Sequence, residues 1–161
     1  MKIVIACYSW KGHTRTIAKE LAKKLNAAYI DIEPLGDISP LSEGIKALFG
    51  LKSAIKPPMA DMKNFDHLVI ATPVWSHNLP PFTRQYLSEL NNCEGKQFSV
   101  LVEMGGSGAD GVIGKVKKIL DIKEMEFVAS AVTIEKDVDS NNVDPILQGL
   151  AEKIRGTQKN E

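Results

Sequence analysis

Apolar residues are distributed along this chain in two kinds of run. Four are short, continuous and rich in Val and Ile: Lys2 to Tyr8, His67 to Thr72, Phe98 to Met104 and Phe127 to Ile134. A run without polar alternation predicts a strand covered on both faces, the condition of a parallel sheet packed between helices. A weaker run, Ala28 to Glu33, alternates and suits an edge strand. Between these runs the period becomes helical. Ile17, Leu21 and Leu25, with Ala18 and Ala22 beside them, form a stripe after Thr14. Val112, Ile113, Val116, Ile119 and Leu120 form a second, and Val143, Ile146, Leu147, Leu150, Ala151 and Ile154 a third. Pro80-Pro81 opens another helix through Phe82, Tyr86, Leu87 and Leu90, because proline is tolerated in a first helical turn. Strands alternating with helices predict the α/β class, a three-layer α/β/α sandwich around a five-stranded parallel sheet with right-handed crossovers.

The 161 residues suit a single domain spanning 1–161, with an insert over 34–64 longer than an ordinary connection. Inside the insert Ile45, Leu48, Phe49 and Ile55 make a partial helical stripe. Lys46, Lys52 and Lys56 meet no acidic residue between Glu43 and Asp61, which reads as a solvated lysine face or as a basic docking surface. The polar tail Thr157 to Glu161 is expected to fray.

Charge narrows the function classes. Twenty basic residues balance twenty acidic ones, so no global field gathers nucleic acid or an anionic membrane. No apolar run is long enough to span a bilayer, and the opening apolar run is too short for a secretory signal, so no membrane insertion is expected. Cys7 and Cys93 are far apart and form no CxxC, and with three histidines there is no metal-ligand spacing. Packing thiols in a reducing cytoplasm are the expectation, with no metal.

In an open parallel sheet, ligands bind beyond the carboxyl ends of strands where the strand order reverses. Three loops leave strands for helices. The first, Ser9-Trp10-Lys11-Gly12-His13-Thr14, combines hydroxyls, a glycine for a tight turn and the free N–H groups of a helix start, which together make a socket for a phosphate dianion. Lys11 and His13 add positive charge. GxxxxGK[ST] is absent, so nucleoside triphosphate hydrolysis has no anchor. The competing reading is an ordinary helix cap by Thr14 or Ser9.

The second loop, 72–81, sets Trp75 where the sheet opens, an apolar shelf for a flat ring with Ser76, His77 and Asn78 near its edge. Simple packing of Trp75 over the sheet end is the alternative, and His77, with no partner in the sequence, reads as an exposed loop residue. The third loop contains Gly106-Ser107-Gly108-Ala109-Asp110-Gly111, a literal GxGxxG. It follows the fourth strand, and no acidic residue stands near Ser130 to Thr133 to hold a ribose, so a glycine loop beside a planar ligand is the better reading.

The segments KIVIACYSWKGHTRTIAKELAKKL, FDHLVIATPVWSHNLPPFTRQYL and LVEMGGSGADG resemble, in order, the phosphate loop and the two ring-contacting loops of the flavodoxin family, over nearly the whole chain. The resemblance implies a flavodoxin-like sheet order 2-1-3-4-5 and the cofactor FMN. It implies that Ser9, Gly12 and Thr14, with backbone groups of Trp10, Lys11 and His13, hold the phosphate. Pro73, Val74, Trp75 and Ser76 would line the isoalloxazine, and Gly105 and Gly106 its other edge. No side chain is assigned a catalytic role, since the flavin carries the chemistry. Lys11 stands where the family usually has a hydroxyl residue, and the chain is neutral where electron-carrier flavodoxins are acidic.

These readings make the chain an FMN-binding redox protein that exchanges electrons with a redox partner protein or a small-molecule acceptor. An NAD(P)H-dependent FMN or quinone reductase is the alternative within that class. A binding or signalling module without flavin is the alternative outside it. A receiver domain, however, needs an acidic cluster after strand one and an aspartate ending strand three, where this chain has Cys7-Tyr8-Ser9 and Thr72-Pro73.

Overall fold

A computed structural model describes residues 1–157; the expectation for the tail beyond Thr157 lies outside them. Five parallel strands form one sheet: β1 (Ile3–Cys7), β2 (Ala28–Asp31), β3 (His67–Pro73), β4 (Gln97–Met104) and β5 (Glu126–Ile134). Their order is β2-β1-β3-β4-β5, as the resemblance implied. The helices are α1 (His13–Leu25), α2 (Pro40–Leu48), α3 (Pro81–Glu89), α4 (Ala109–Asp121), α5 (Glu135–Asp139) and α6 (Asp144–Gly156). Among the described residues no helix is long and apolar enough to cross a membrane.

The continuous apolar runs are buried for the reason their pattern suggested. Every residue of β1 and β3 is buried because helices cover both faces of the central strands. On one face Ile5, Val69 and Leu101 pack with Ile17 and Leu21 of α1 and Leu147 and Ile154 of α6. On the other, Val4, Leu68 and Val100 meet Phe82 and Leu87 of α3 and Val112 and Val116 of α4. Cys7 and Cys93 are free and buried, and burial pushes the Cys7 thiol up to about 12.

Four expectations need correction. The run Phe127 to Ile134 is only half covered, because β5 is a sheet edge. The lysines of the insert are not a uniformly solvated face. Lys46 Nζ donates to Glu43 Oε1 (2.6 Å) and Ser53 Oγ (3.0 Å), and Lys56 pairs with Glu33 across the insert (2.5 Å). Glu43 and Ala47 are the buried residues of α2, and the stripe read in the insert is split: Ile45, Leu48 and Phe49 are exposed by 50, 60 and 71%, while Ile55 lies beyond the helix and is buried. Finally, α5 was not anticipated. Its sequence, EKDVD, has no apolar period to announce a helix, and it forms where the chain turns from β5 toward α6.

Candidate functional site

Gly12 lies in left-handed backbone (φ 101°), which few residues but glycine adopt easily, and its N–H donates to Ser9 Oγ at 3.1 Å. The first backbone bond into α1 is Thr16 N–H to the Gly12 carbonyl (2.9 Å). The N–H groups of His13, Thr14 and Arg15 are therefore left without helical acceptors. Among the described residues no side chain caps the helix, and no acidic residue sits in its first turn. The ordinary-cap reading thus fails. Gly12 occupies the cap position, Ser9 holds the turn, and Thr14 turns inward, 1% exposed, to donate to Glu103 Oε2 at 3.2 Å.

The positive charge expected of Lys11 and His13 is faced by acids of α5. Glu135 Oε1 lies 3.6 Å from Lys11 Nζ and 3.4 Å from His13 Nδ1, and Asp139 Oδ1 lies 3.0 Å from His13 Nε2. This end of the sheet consequently carries opposed charges rather than a simple basic socket.

Beyond β3 the chain reverses in a two-residue turn. Trp75 and Asn78 exchange backbone hydrogen bonds (3.0 and 2.7 Å), with Ser76 and His77 at φ 48° and 58°. Two successive left-handed residues define a type I′ turn, usually Asn-Gly, so this sequence holds strained backbone beside the cleft. The turn presents Trp75 against three rings, Tyr8 at 5.6 Å, Trp10 at 5.8 Å and Phe82 at 6.3 Å, all nearly perpendicular to it. Trp75 thus packs over the sheet end and also lines the cleft, with none of these three rings stacked parallel on it. His77 is exposed, yet its Nε2 meets Ser107 Oγ at 3.1 Å, tying the second loop to the third. Gly108 completes that tie. At φ 101°, a Cβ there would stand 3.0 Å from His77 Cα and from Val74 Cγ1, so this glycine serves a close backbone approach.

Ser9, Trp10, Lys11, His13, Pro73, Val74, Trp75 and Gly105 come together around one cleft of about 120 Å³. Ser76 and Gly106 line an adjoining shallow pocket that shares Val74 and Gly105 with it. Gly12 and Thr14 shape the loop from behind. Sequence reasoning missed Glu103, Met104 and Glu135, which also line the cleft. Glu103 had a signal, being an acid near the end of an otherwise apolar strand; Glu135 had none. Burial lifts the Glu103 carboxyl above its ordinary range and Glu135 adds to the lift, while the Thr14 hydrogen bond, His13 and Lys11 oppose it. Unpaired N–H groups at one end and an aromatic shelf on the neighbouring strand fit a phosphate monoester carrying a flat ring. The acids Glu103 and Glu135 in the lining are discordant with an anionic ligand. The location, outside the carboxyl ends of β1 and β3, is the switch point for which the flavodoxin-like order is itself the standing example.

Comparisons with known proteins agree with this geometry. A flavoprotein of Lactobacillus acidophilus NCFM in complex with FMN superposes with a TM-score of 0.71 at 20% identity, covering 86% of this chain and 97% of that one. A flavodoxin of Streptococcus pneumonia TIGR4 gives 0.63 at 14% identity, over 98% and 99%. The general stress protein 14 of Treponema denticola, in complex with FMN, gives 0.60 at 15%, over 96% and 99%. No curated protein sequence matches the chain. The family model described as NADPH-dependent FMN reductase matches residues 1–139. The chain therefore belongs to the NADPH-dependent FMN reductase family, and is a flavodoxin-like, FMN-binding protein of redox chemistry.

Proposed function

We propose that the chain is an NAD(P)H-dependent reductase that holds FMN across the carboxyl ends of β1, β3 and β4 and passes electrons to a small-molecule acceptor such as a quinone or free flavin. The observation that carries this reading is the pairing, at one solvent-open cleft, of uncapped α1 N–H groups with the Trp75 shelf. Ser9, Gly12 and Thr14, with the backbone of Trp10, Lys11 and His13, hold the phosphate. Pro73, Val74, Trp75 and Ser76 take one side of the ring system, and Gly105 and Gly106 the other. The cleft and the adjoining pocket that shares Val74 and Gly105 with it are both open to solvent, which leaves one face of the ring within reach of a second substrate. Bound FMN supplies hydride acceptance and electron release. The protein's part is to orient it, exclude water from one face and tune it through hydrogen bonds.

A second reading, an electron carrier with a protein partner, is favoured by Ile45, Leu48 and Phe49, which lie exposed on the insert that flanks Ser76. In both readings residues 1–161 act as one flavodoxin-like domain with 34–64 as an insert. The two buried free thiols fit a reducing cytoplasm.

Anaerobic addition of NADPH or NADH to the FMN-loaded protein separates the readings. Rapid bleaching of the flavin absorbance supports the reductase. A retained flavin that neither nucleotide bleaches, but that a protein reductase does, supports the carrier.

A further inference from the structure

Thr14 has one hydroxyl proton and two acceptors that need it. In the structure that proton goes to Glu103 Oε2, 3.2 Å away. In the site proposed above, the same hydroxyl serves the FMN phosphate. A hydroxyl carries one donor and two acceptor lone pairs. With Glu103 ionised, Thr14 spends its proton on the carboxylate and turns lone pairs toward a dianion. With Glu103 protonated, the carboxyl O–H donates to Thr14 Oγ1 and the Thr14 proton is free for the phosphate.

We propose that Glu103 takes up one proton from solvent when the FMN phosphate binds and, through Thr14, decides whether the loop receives or repels that phosphate. This rests on the FMN reading of the site. The proton comes from buffer and ends on a Glu103 carboxylate oxygen; no other bond is made or broken. Glu103 is a positioning residue, acting on the ligand through Thr14.

The surroundings leave the carboxylate few other ways to shed its charge. It is 8% exposed at the end of β4, between Pro73 on β3 and Thr133 on β5. Pro73 offers no donor, and the Thr133 hydroxyl is directed at the Val102 carbonyl (3.4 Å). The charged and titratable groups facing it are Lys11 and His13 from the phosphate loop and Glu135 from α5, with Asp139 beyond His13. Lys11 and His13 both already face Glu135. A phosphate dianion adds like charge beside a carboxyl whose protonated form burial already favours.

The test compares FMN with riboflavin, which lacks the phosphate, by flavin fluorescence titration of wild type and Glu103→Gln between about pH 5 and 9. The second ionisation of a phosphate monoester, at about pH 6, is common to both proteins, so the difference between their FMN profiles belongs to Glu103. Calorimetry in buffers of different ionisation enthalpy measures the proton taken up. Over the range in which Glu103 is ionised in the free protein and protonated in the complex, the wild-type FMN Kd should rise with pH more steeply than that of Glu103→Gln, by up to about tenfold per unit, with up to about one more proton bound per FMN and with the two riboflavin profiles alike. In Glu103→Gln the carboxamide N–H donates to Thr14 at every pH, and at the alkaline end this variant should bind FMN more tightly than wild type. Identical FMN profiles and proton uptake in wild type and Glu103→Gln, or a difference shared by riboflavin, overturn the role of Glu103. Where Glu103→Gln folds poorly, His13→Gln decides: proton uptake with FMN and not riboflavin should survive in it, and its loss there overturns the role of Glu103. A protein that binds FMN no better than riboflavin at any pH overturns the phosphate site itself, and this role with it; phosphate-dependent binding with identical profiles overturns the role alone.

Discussion

Thr14 shows how much one side chain can conceal from sequence reasoning. Its hydroxyl was anticipated at the phosphate loop, and its place at the start of α1 is where the spacing put it. Its inward rotation toward Glu103 depends on a residue 89 positions away. Replacing Thr14 with Val keeps the volume and removes the donor. Because hydrogen bonds to charged groups are worth about 1.5–3 kcal/mol, FMN should bind about tenfold or more weakly, while riboflavin changes little. Parallel titrations of the two ligands check this, and equal losses would remove the phosphate role. Glu135 teaches the complementary lesson. It faces Lys11 and His13 only because the chain after β5 folds back as α5, and no local pattern signals that.

At the scale of elements, the second and third loops form one unit. Gly108 presses its backbone on His77 and Val74, and the Ser107 to His77 contact ties the tips together. Gly108→Ala combines a left-handed backbone with contacts of 3.0 Å to a backbone carbon, so one loop must move. A loss of about 1–3 kcal/mol in urea denaturation is expected, with weaker binding of both flavins, since Val74 and Trp75 share the displaced loop. Unchanged flavin affinity at reduced stability would show that the two loops act independently. The insert illustrates a different element-scale effect. Its stripe at helical spacing carries no direction of its own, and a buried Glu43, bonded to Lys46 and Ser53, takes the inner side of α2. Helical period reports which residues share a face; it does not report which way the face points.

For the molecule as a whole, the buried groups set how stability responds to pH. His67, fully buried at the start of β3, bonds Ser99 Oγ through Nε2 (3.0 Å), and its Nδ1 has no partner among the described residues. Burial pushes its pKa down to about 4 from an ordinary 6.5, so between those values the unfolded chain binds the proton and the folded one does not. Stability therefore falls as pH drops through that window, by about 3 kcal/mol at most. His67→Gln retains a side-chain partner for Ser99 without titrating. Urea unfolding across the window should show a pH slope shallower by up to about one proton than wild type, and identical slopes would mean that His67 does not carry the effect.

The sequence alone determined the class of the fold and the sites of its loops. Continuous Val and Ile runs demand two covered faces, helical stripes supply the covers, and turn chemistry after β1, β3 and β4 marks where a ligand can approach. That Ser9 to Lys11, His13, Pro73 to Trp75 and Gly105 lie on loops at one end of the sheet, where they meet around one cleft, was legible for that reason. Local patterns act over a few residues, however, and the remaining features are made by distant ones. Tertiary structure alone decided that Glu103 meets Thr14, that α5 sets acids against Lys11 and His13, and that Ile45, Leu48 and Phe49 of the insert turn outward. Hydrogen bonds and ion pairs act over a few ångströms in space, and separation along the chain does not disclose which groups come that close.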